Sequence, residues 1–301
     1  MLIFNEPKKL LTHIVDITRQ ANQAALEIYR TPFDVTFKKD ASLVMQADRV
    51  AHDLICSALR KLTPAHIPVL SEKSEYERIE TNLFWLVDHF DRIKEFIYQN
   101  DEFTINITLI DNNLALLGVI YSYTLDLFYR ESVKNGTFKI SPGEEQVPIS
   151  FESTLDTDII AMRSHSHGNL KEVKTFLFSF MEKKIIHTIG SSLNFYKITE
   201  GSPHLYPYLE KTMELDIAVI YAILMATRSC MITLSDNILT YGKKDFENPL
   251  FMVFPSINFL RKLAADKENY EGCCHFFKFS PLKSEKDCWN LAYQIGHKYG
   301  Y

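Results

Sequence analysis

The chain has 301 residues, 46% hydrophobic and 24% charged, with a net charge of −5. That length and balance suit a globular protein of one large or two modest domains with a substantial core, and the acidic balance argues against a general binder of nucleic-acid polymers. There is no run of about 18 apolar residues, so no transmembrane helix is expected, and Met1–Pro7 lacks the charged start and long apolar core of a signal peptide.

In residues 9–29, Leu10, Leu11, Ile14, Ile17, Ala21, Ala25 and Ile28 recur at helical spacing and predict a helix with one buried face. A second helix is predicted to follow Asp48, on the rhythm of Val50, Ala51, Leu54, Ile55, Ala58, Leu59 and Leu62. Pro64 and Pro68 mark its end and the approach to a short strand at Val69-Leu70. The apolar run from Phe84 to Val87 predicts a strand that ends in Asp88 and Asp91 at a strand-to-loop-to-helix junction. Phe103 to Ile110 alternates with period two, so a strand with one buried face is expected. Asp111-Asn112-Asn113 signals a turn, Ala115 to Tyr123 a further strand, Asp126 to Arg130 another, and Asn135-Gly136 a hairpin. These strands form a meander, an antiparallel sheet packed on the two N-terminal helices.

Beyond the polar stretch that ends at Asp158, short strands at Ile159 to Met162 and Ile185 to Ile189 alternate with helices at Leu170 to Lys183, Leu193 to Thr199 and Asp216 to Arg228. The expected organisation is an N-terminal α+β domain over 1–155, a mixed α/β domain over 156–254, and an extension over 255–301. In that extension Ile257 to Lys267 and Lys283 to Lys298 have amphipathic helical spacing. Met252, Phe254, Phe259, Phe276, Phe277 and Trp289 either pack on the second domain or bind a partner. The five cysteines include an adjacent pair, Cys273-Cys274, and no C-x-x-C spacing. They read as free thiols in a reducing cytoplasm; a zinc site using the late cysteines and His275 has no support from spacing.

Five carboxylates stand out by position. Asp48 precedes the predicted second helix, Glu72 follows a strand, Asp88 and Asp91 end one, and Asp216 opens a helix. Each alone has a plain explanation: helix caps for Asp48 and Asp216, turn formers for Asp88 and Asp91, a solvated charge for Glu72. In order along the chain they resemble the inositol monophosphatase superfamily, whose signature is a glutamate after a strand, then D-P-x-D-G-T, then an aspartate opening a late helix. The chain is most similar to the CysQ type, the 3'(2'),5'-bisphosphate nucleotidases. The segments that carry this include Pro68-Val69-Leu70-Ser71-Glu72, Asn100-Asp101-Glu102-Phe103-Thr104-Ile105-Asn106-Ile107, Leu117-Gly118-Val119-Ile120-Tyr121, Arg163-Ser164-His165 and Ile189-Gly190-Ser191-Ser192-Leu193. The resemblance spans about residues 8–254.

The resemblance implies a layered α-β-α-β-α sugar-phosphatase fold of the α+β class. It implies Mg²⁺ held by Glu72, Asp88, Asp91, Asp216 and the carbonyl of Phe90, in keeping with that ion's preference for oxygen. It further implies that a metal-bound water attacks phosphorus, with Glu72 and Asp48 as catalytic residues and Asp48 acting through a threonine hydroxyl. Arg92, Ile93, His165, Gly190, Ser191 and Ser192 fall on the substrate-binding positions. The implied substrate is a small phosphorylated nucleotide or a sugar or polyol phosphate, the implied compartment the cytoplasm or the inner face of its membrane, and a homodimer is compatible with it.

The chain also departs from the pattern. D-P-x-D-G-T reads Asp88-His89-Phe90-Asp91-Arg92-Ile93, so Ile93 replaces the threonine, Arg92 the glycine and His89 the proline. His89 reads either as a group supporting the ligands or as a loop residue filling the proline position. Lys73, Asn194 and Tyr208 stand where an acid, a lysine and an arginine are expected in the substrate cleft. Two functional readings result: a Mg²⁺-dependent phosphatase, or an impaired relative that binds metal or a phosphorylated ligand as a sensor or interaction module.

Overall fold

A computed structural model describes residues 7–29, 37–72, 81–91, 104–122, 127–132, 136–141, 143, 145–149, 160–164, 185–189, 205–227, 229–233 and 238–256. The predicted helices at 170–183 and 193–199 and the whole segment 257–301 lie outside these residues.

Helix α1 runs Pro7–Tyr29, and its first residue is a proline, which suits a position whose N–H has no intrahelical acceptor. Helix α2 runs Phe37–Leu62. This corrects the predicted start after Asp48, which lies inside the helix and caps nothing. Residues 37–47 contain no Pro or Gly, and Ala, Leu, Met, Gln and Lys among them are good helix formers, so nothing stops the helix upstream. Thr63 ends α2 by donating both its backbone N–H and its hydroxyl to the Leu59 carbonyl, at 3.0 and 2.8 Å, just before Pro64.

Seven strands form the main sheet in chain order: β1 (Val69–Ser71), β2 (Leu83–Asp91), β3 (Thr104–Asp111), β4 (Leu114–Ser122), β5 (Leu127–Ser132), β6 (Gly136–Ile140) and β7 (Val147–Ile149). Every neighbouring pair is antiparallel except β1 and β2, which are parallel. The predicted meander is present. β3, however, is buried on both faces from Thr104 to Ile110, where one buried face was expected. Its alternation of Ile with Thr and Asn reports two different covers, not one cover and solvent. On one side, Trp85, Val87, Ile105, Ile107 and Leu109 pack with Leu10, Ile14, Ala51, Ile55 and Leu59 of α1 and α2. Asn22 of α1 also donates to the Tyr121 hydroxyl of β4 at 2.6 Å.

The other face meets α3 (Glu214–Ala226). Leu215 and every residue from Ile217 to Leu224 are buried, so this helix is apolar all round. The reason is its position between two sheets. Phe84, Leu86, Ile110 and Ile120 of the main sheet lie in one cluster with it, together with Tyr206, Tyr208, Phe251 and Val253 from the far side. Those far residues belong to β10 (Tyr206–Tyr208) and β14 (Phe251–Phe254), which with β12 (Cys230–Thr233) form a three-stranded sheet in the order β10-β14-β12. The layers are thus a helix pair, a sheet, a single helix and a sheet, four of the five in the expected α+β stack. One core cluster crosses residue 155. Met252 and Phe254 are buried in β14. β8 (Ile160–Ser164) and β9 (Ile185–Ile189) pair in parallel, and two-residue strands β11 (Thr212–Met213) and β13 (Glu247–Asn248) pair antiparallel.

Two devices fix α3 against the main sheet. Gly118 of β4 lets it approach closely: a Cβ at Gly118 would fall 2.8 Å from a methyl carbon of Val219. At the N-terminus the Glu214 carboxylate, 0% exposed, accepts from the Gly242 N–H at 2.6 Å and the Lys243 N–H at 2.9 Å. The Lys243 ammonium lies 2.6 Å from the same group. The clamped loop continues into the β3–β4 turn, where Asn113 accepts from the Tyr241 N–H at 3.0 Å and donates to its carbonyl at 2.7 Å. Gly242 has φ +84, and a Cβ there would also press on the Phe84 ring.

Replacing Gly118 by Ala should destabilise the protein by about 1–3 kcal/mol, read from denaturant midpoints, because the β-branched Val219 cannot swing aside cheaply. Glu214→Ala should cost about 3–5 kcal/mol by the same measurement, since it strips a buried pair and leaves two amides without their acceptor. Burial pushes the Tyr241 phenol well above its ordinary 10.0, with Tyr221 and Glu214 adding to the shift. The native state therefore keeps that proton while the unfolded chain sheds it, and stability falls as pH rises above about 10. Tyr241→Phe should flatten that alkaline loss in unfolding curves taken between pH 8 and 11.

Candidate functional site

The parallel pairing of β1 with β2 sets Ser71 opposite Val87. One step further, Glu72 follows the carboxyl end of β1 and Asp88 lies in β2 toward its own carboxyl end, the edge where open sheets most often bind ligands. Glu72 is exposed, whereas Asp88 is 1% exposed. Phe84 and Leu86 pack toward α3, and Trp85 and Val87 toward α1 and α2. The strand alternation therefore sends Asp88 to the α3 side and His89 to the α2 side.

Asp88 and Asp91 are three residues apart, which in a regular strand would put them on opposite faces. A bulge lies between them. Asp88 pairs with Asn106 and Asp91 with Thr104, so three steps on β2 match two on β3. Thr104 and Asn106 share a face, and the Thr104 hydroxyl donates to the Asn106 amide oxygen at 3.2 Å. The backbone register thus sets Asp91 opposite Thr104, two residues from the partner of Asp88. β2 continues as strand through Phe90 to Asp91, and the residues of the predicted junction past Asp91 lie outside the described ones.

Asp216 is the third residue of α3, where a cap was expected. Its carboxylate accepts from the Met213 N–H at 3.0 Å, which secures the helix start. A negative charge is well placed there against the helix dipole.

Asp48 is 8% exposed, on the inner face of α2. His89 Nε2 lies 2.7 Å from Asp48 Oδ1, a short contact with the ring N–H off the line to the oxygen. The His89 ring, 0% exposed, meets the His52 ring edge-on at 4.8 Å and 64°. His52 Nδ1 is in turn 3.7 Å from Cys56 Sγ. His89 is thus a buried strand residue and not the loop residue of one sequence reading. The signal for it was present: His89 continues the Trp85, Val87 alternation, and Asp48, His52 and Cys56 are spaced by four on a helix. Cys56 is a free, buried thiol, as expected.

The donors fit a hard cation in kind, all of them carboxylate or carbonyl oxygen. Among the described residues no three of His, Cys, Asp and Glu converge closely enough to hold an ion. The side chains of Phe90 and Asp91 fall outside the description, as do Arg92, Ile93, His165, Gly190, Ser191 and Ser192 in their entirety, along with Lys73 and Asn194. Tyr208 is not a cleft residue: it is buried and stacks on Phe251 with centroids 5.0 Å apart and planes 9° from parallel. Among the described residues no helix is long and apolar enough to cross a membrane.

The model of the inositol monophosphatase family matches residues 6–265. The 3'(2'),5'-bisphosphate nucleotidase CysQ of Escherichia coli O6:H1 is 35% identical over 250 residues, covering 81% of this chain and 99% of that protein. The enzyme of the same description from Buchnera aphidicola is 30% identical over 248 residues, covering 78% of this chain and 88% of its own. The crystal structure of CysQ from Bacteroides thetaiotaomicron superposes with a TM-score of 0.72 at 30% identity, over 82% of this chain and 97% of that one. A 2'AMP-bound staphylococcal inositol monophosphatase, at 17% identity and a TM-score of 0.65, shares the fold. The chain belongs to the inositol monophosphatase family.

Proposed function

We propose that the chain is a Mg²⁺-dependent phosphatase acting on 3'-phosphoadenosine 5'-phosphate or a closely related small phosphate ester, to give AMP and orthophosphate in the first case. The observation that supports this reading is the strand pairing, in which β1 ends at Ser71 opposite Val87, one residue before Glu72 and Asp88, and a bulge lies between Asp88 and Asp91. The substrate is taken from the relatives named as bisphosphate nucleotidases. Glu72, Asp88, Asp91, Asp216 and the Phe90 carbonyl would hold the cation. When bound, Mg²⁺ lowers the pKa of a water and offsets phosphate charge.

The chain's own residues divide the remaining tasks. Asp48 and Glu72 are the carboxylates able to orient a water and take its proton. Arg92 offers a bidentate clamp for phosphate, and His165 and Gly190-Ser191-Ser192 offer polar contacts to the rest of the substrate. Ile93 brings no hydroxyl, so the hydroxyl route to Asp48 is missing, and positioned acid–base help of that kind is typically worth about 10²–10⁴ in rate.

A second reading, in which the chain binds a metal or a phosphorylated ligand without useful turnover, is favoured by Ile93 and Arg92 in place of threonine and glycine. Phosphate release from 3'-phosphoadenosine 5'-phosphate, measured at high enzyme concentration with and without Mg²⁺, separates the two. The expected result is release that stops on chelation and falls at least about 100-fold in Asp91→Asn. Ile93→Thr should raise it about tenfold or more. Release no greater than that of Asp91→Asn, on this substrate and on inositol and fructose phosphates, would leave binding without turnover.

A further inference from the structure

We propose that His89 is the positioning residue for Asp48, holding that carboxylate in a fixed place relative to Asp88 and Asp91; this rests on the phosphatase reading above. His89 sits directly after Asp88 on β2 and faces the opposite side of the sheet. The imidazole reaches α2, while the carboxylate before it serves the sheet end. One stiff strand thus carries both a candidate cation ligand and the group that touches Asp48, with Nε2 to Oδ1 at 2.7 Å.

The ring itself is held. His52 meets it edge-on at 4.8 Å, and His52 is backed by Cys56 at 3.7 Å. Asp48, His52 and Cys56 lie at intervals of four along α2, so one face of the helix presents carboxylate, imidazole and thiol in a row to the strand. The main neighbours in this layer are apolar: Ala47, Ala51, Ile55, Trp85 and Val87. In such surroundings the direction of a carboxylate is set by its polar contacts. Ile93, two residues past Asp91, has no polar side-chain atom to share that task. A histidine in the strand performs it from the opposite end of the Asp88–Ile93 segment.

A purely structural tether between α2 and β2 would show the same contact, so the test must separate position from stability. His89→Met removes the donor at similar volume, whereas His89→Gln keeps an N–H near the place of Nε2. With 3'-phosphoadenosine 5'-phosphate and Mg²⁺, His89→Met should lower kcat about 10- to 100-fold with KM within about twofold. His89→Gln should recover at least about tenfold of that loss. Adding Asp48→Asn to His89→Met should cost less than about threefold more, because the two residues act as one unit. The rise in melting temperature on adding Mg²⁺ should be the same in the wild type and in His89→Met, since the cation ligands are untouched. Should His89→Met not fold, His89→Gln is compared with His89→Asn, whose amide stops short of Asp48.

Equal losses in the Met and Gln variants would overturn the inference, as would a change confined to KM, multiplying losses in the double variant, or a lost Mg²⁺ response. Those outcomes leave the phosphatase reading standing. A wild type without Mg²⁺-dependent release from any of the phosphate esters overturns that reading, and this role with it.

Discussion

The structure depends on a helix that has no solvent side. α3 lies between the seven-stranded sheet and the three-stranded one, and each of its faces is spoken for by packing. An apolar helix of this kind cannot be oriented by amphipathicity, because every rotation about its axis buries about the same surface. Its orientation has to come from steric and polar contacts instead. Gly118 supplies the steric part, admitting Val219 to a distance that no Cβ would allow. Glu214 supplies the polar part, tying the first turn to Gly242 and Lys243. Two residues after Glu214 comes Asp216, so the clamp that orients the helix also places the one candidate ligand that does not come from the edge of the main sheet.

The same sheet works as a partition. Its α3 face carries Asp88, Asn106 and Thr104 near the site, and its α2 face carries His89. Adjacent residues on one strand therefore serve two different layers. His89 thus brings an imidazole of the strand against Asp48 of α2. The bulge before Asp91 does related work along the strand. It sets Asp88 and Asp91 opposite Asn106 and Thr104.

The departures from the family pattern differ in their consequences. Tyr208 replaces a charged residue but has become core, stacked on Phe251, so its effect is on packing. His89 replaces a proline, and a proline could neither reach Asp48 nor pair fully within a strand. On the proposed function, Arg92 and Ile93 would bear on the phosphate and on water activation. The chain keeps its five candidate carboxylates while the residues between Asp88 and Ile93 depart from the family pattern.

Much of this was legible in the residues themselves. Periodicity reports which side chains are buried, so α1, the C-terminal half of α2, the meander and its turns could be read directly, and a resemblance carried by ordered motifs gave the family and the layered α+β fold. What could not be read follows from the limits of local patterns. The upstream half of α2 gave no stop signal and no strong apolar rhythm. β3 looked half exposed because Thr and Asn line its second buried face, and polarity marks a surface only when water is what covers it. Asp48 looked like a cap because position along the chain says nothing about the strand beside it. The bulge between Asp88 and Asp91, and the contact between residues 48 and 89, exist only after strands have paired and layers have stacked. The sequence by itself determined which groups were available for chemistry; register and packing, which arise from long-range contacts, decided which of them meet.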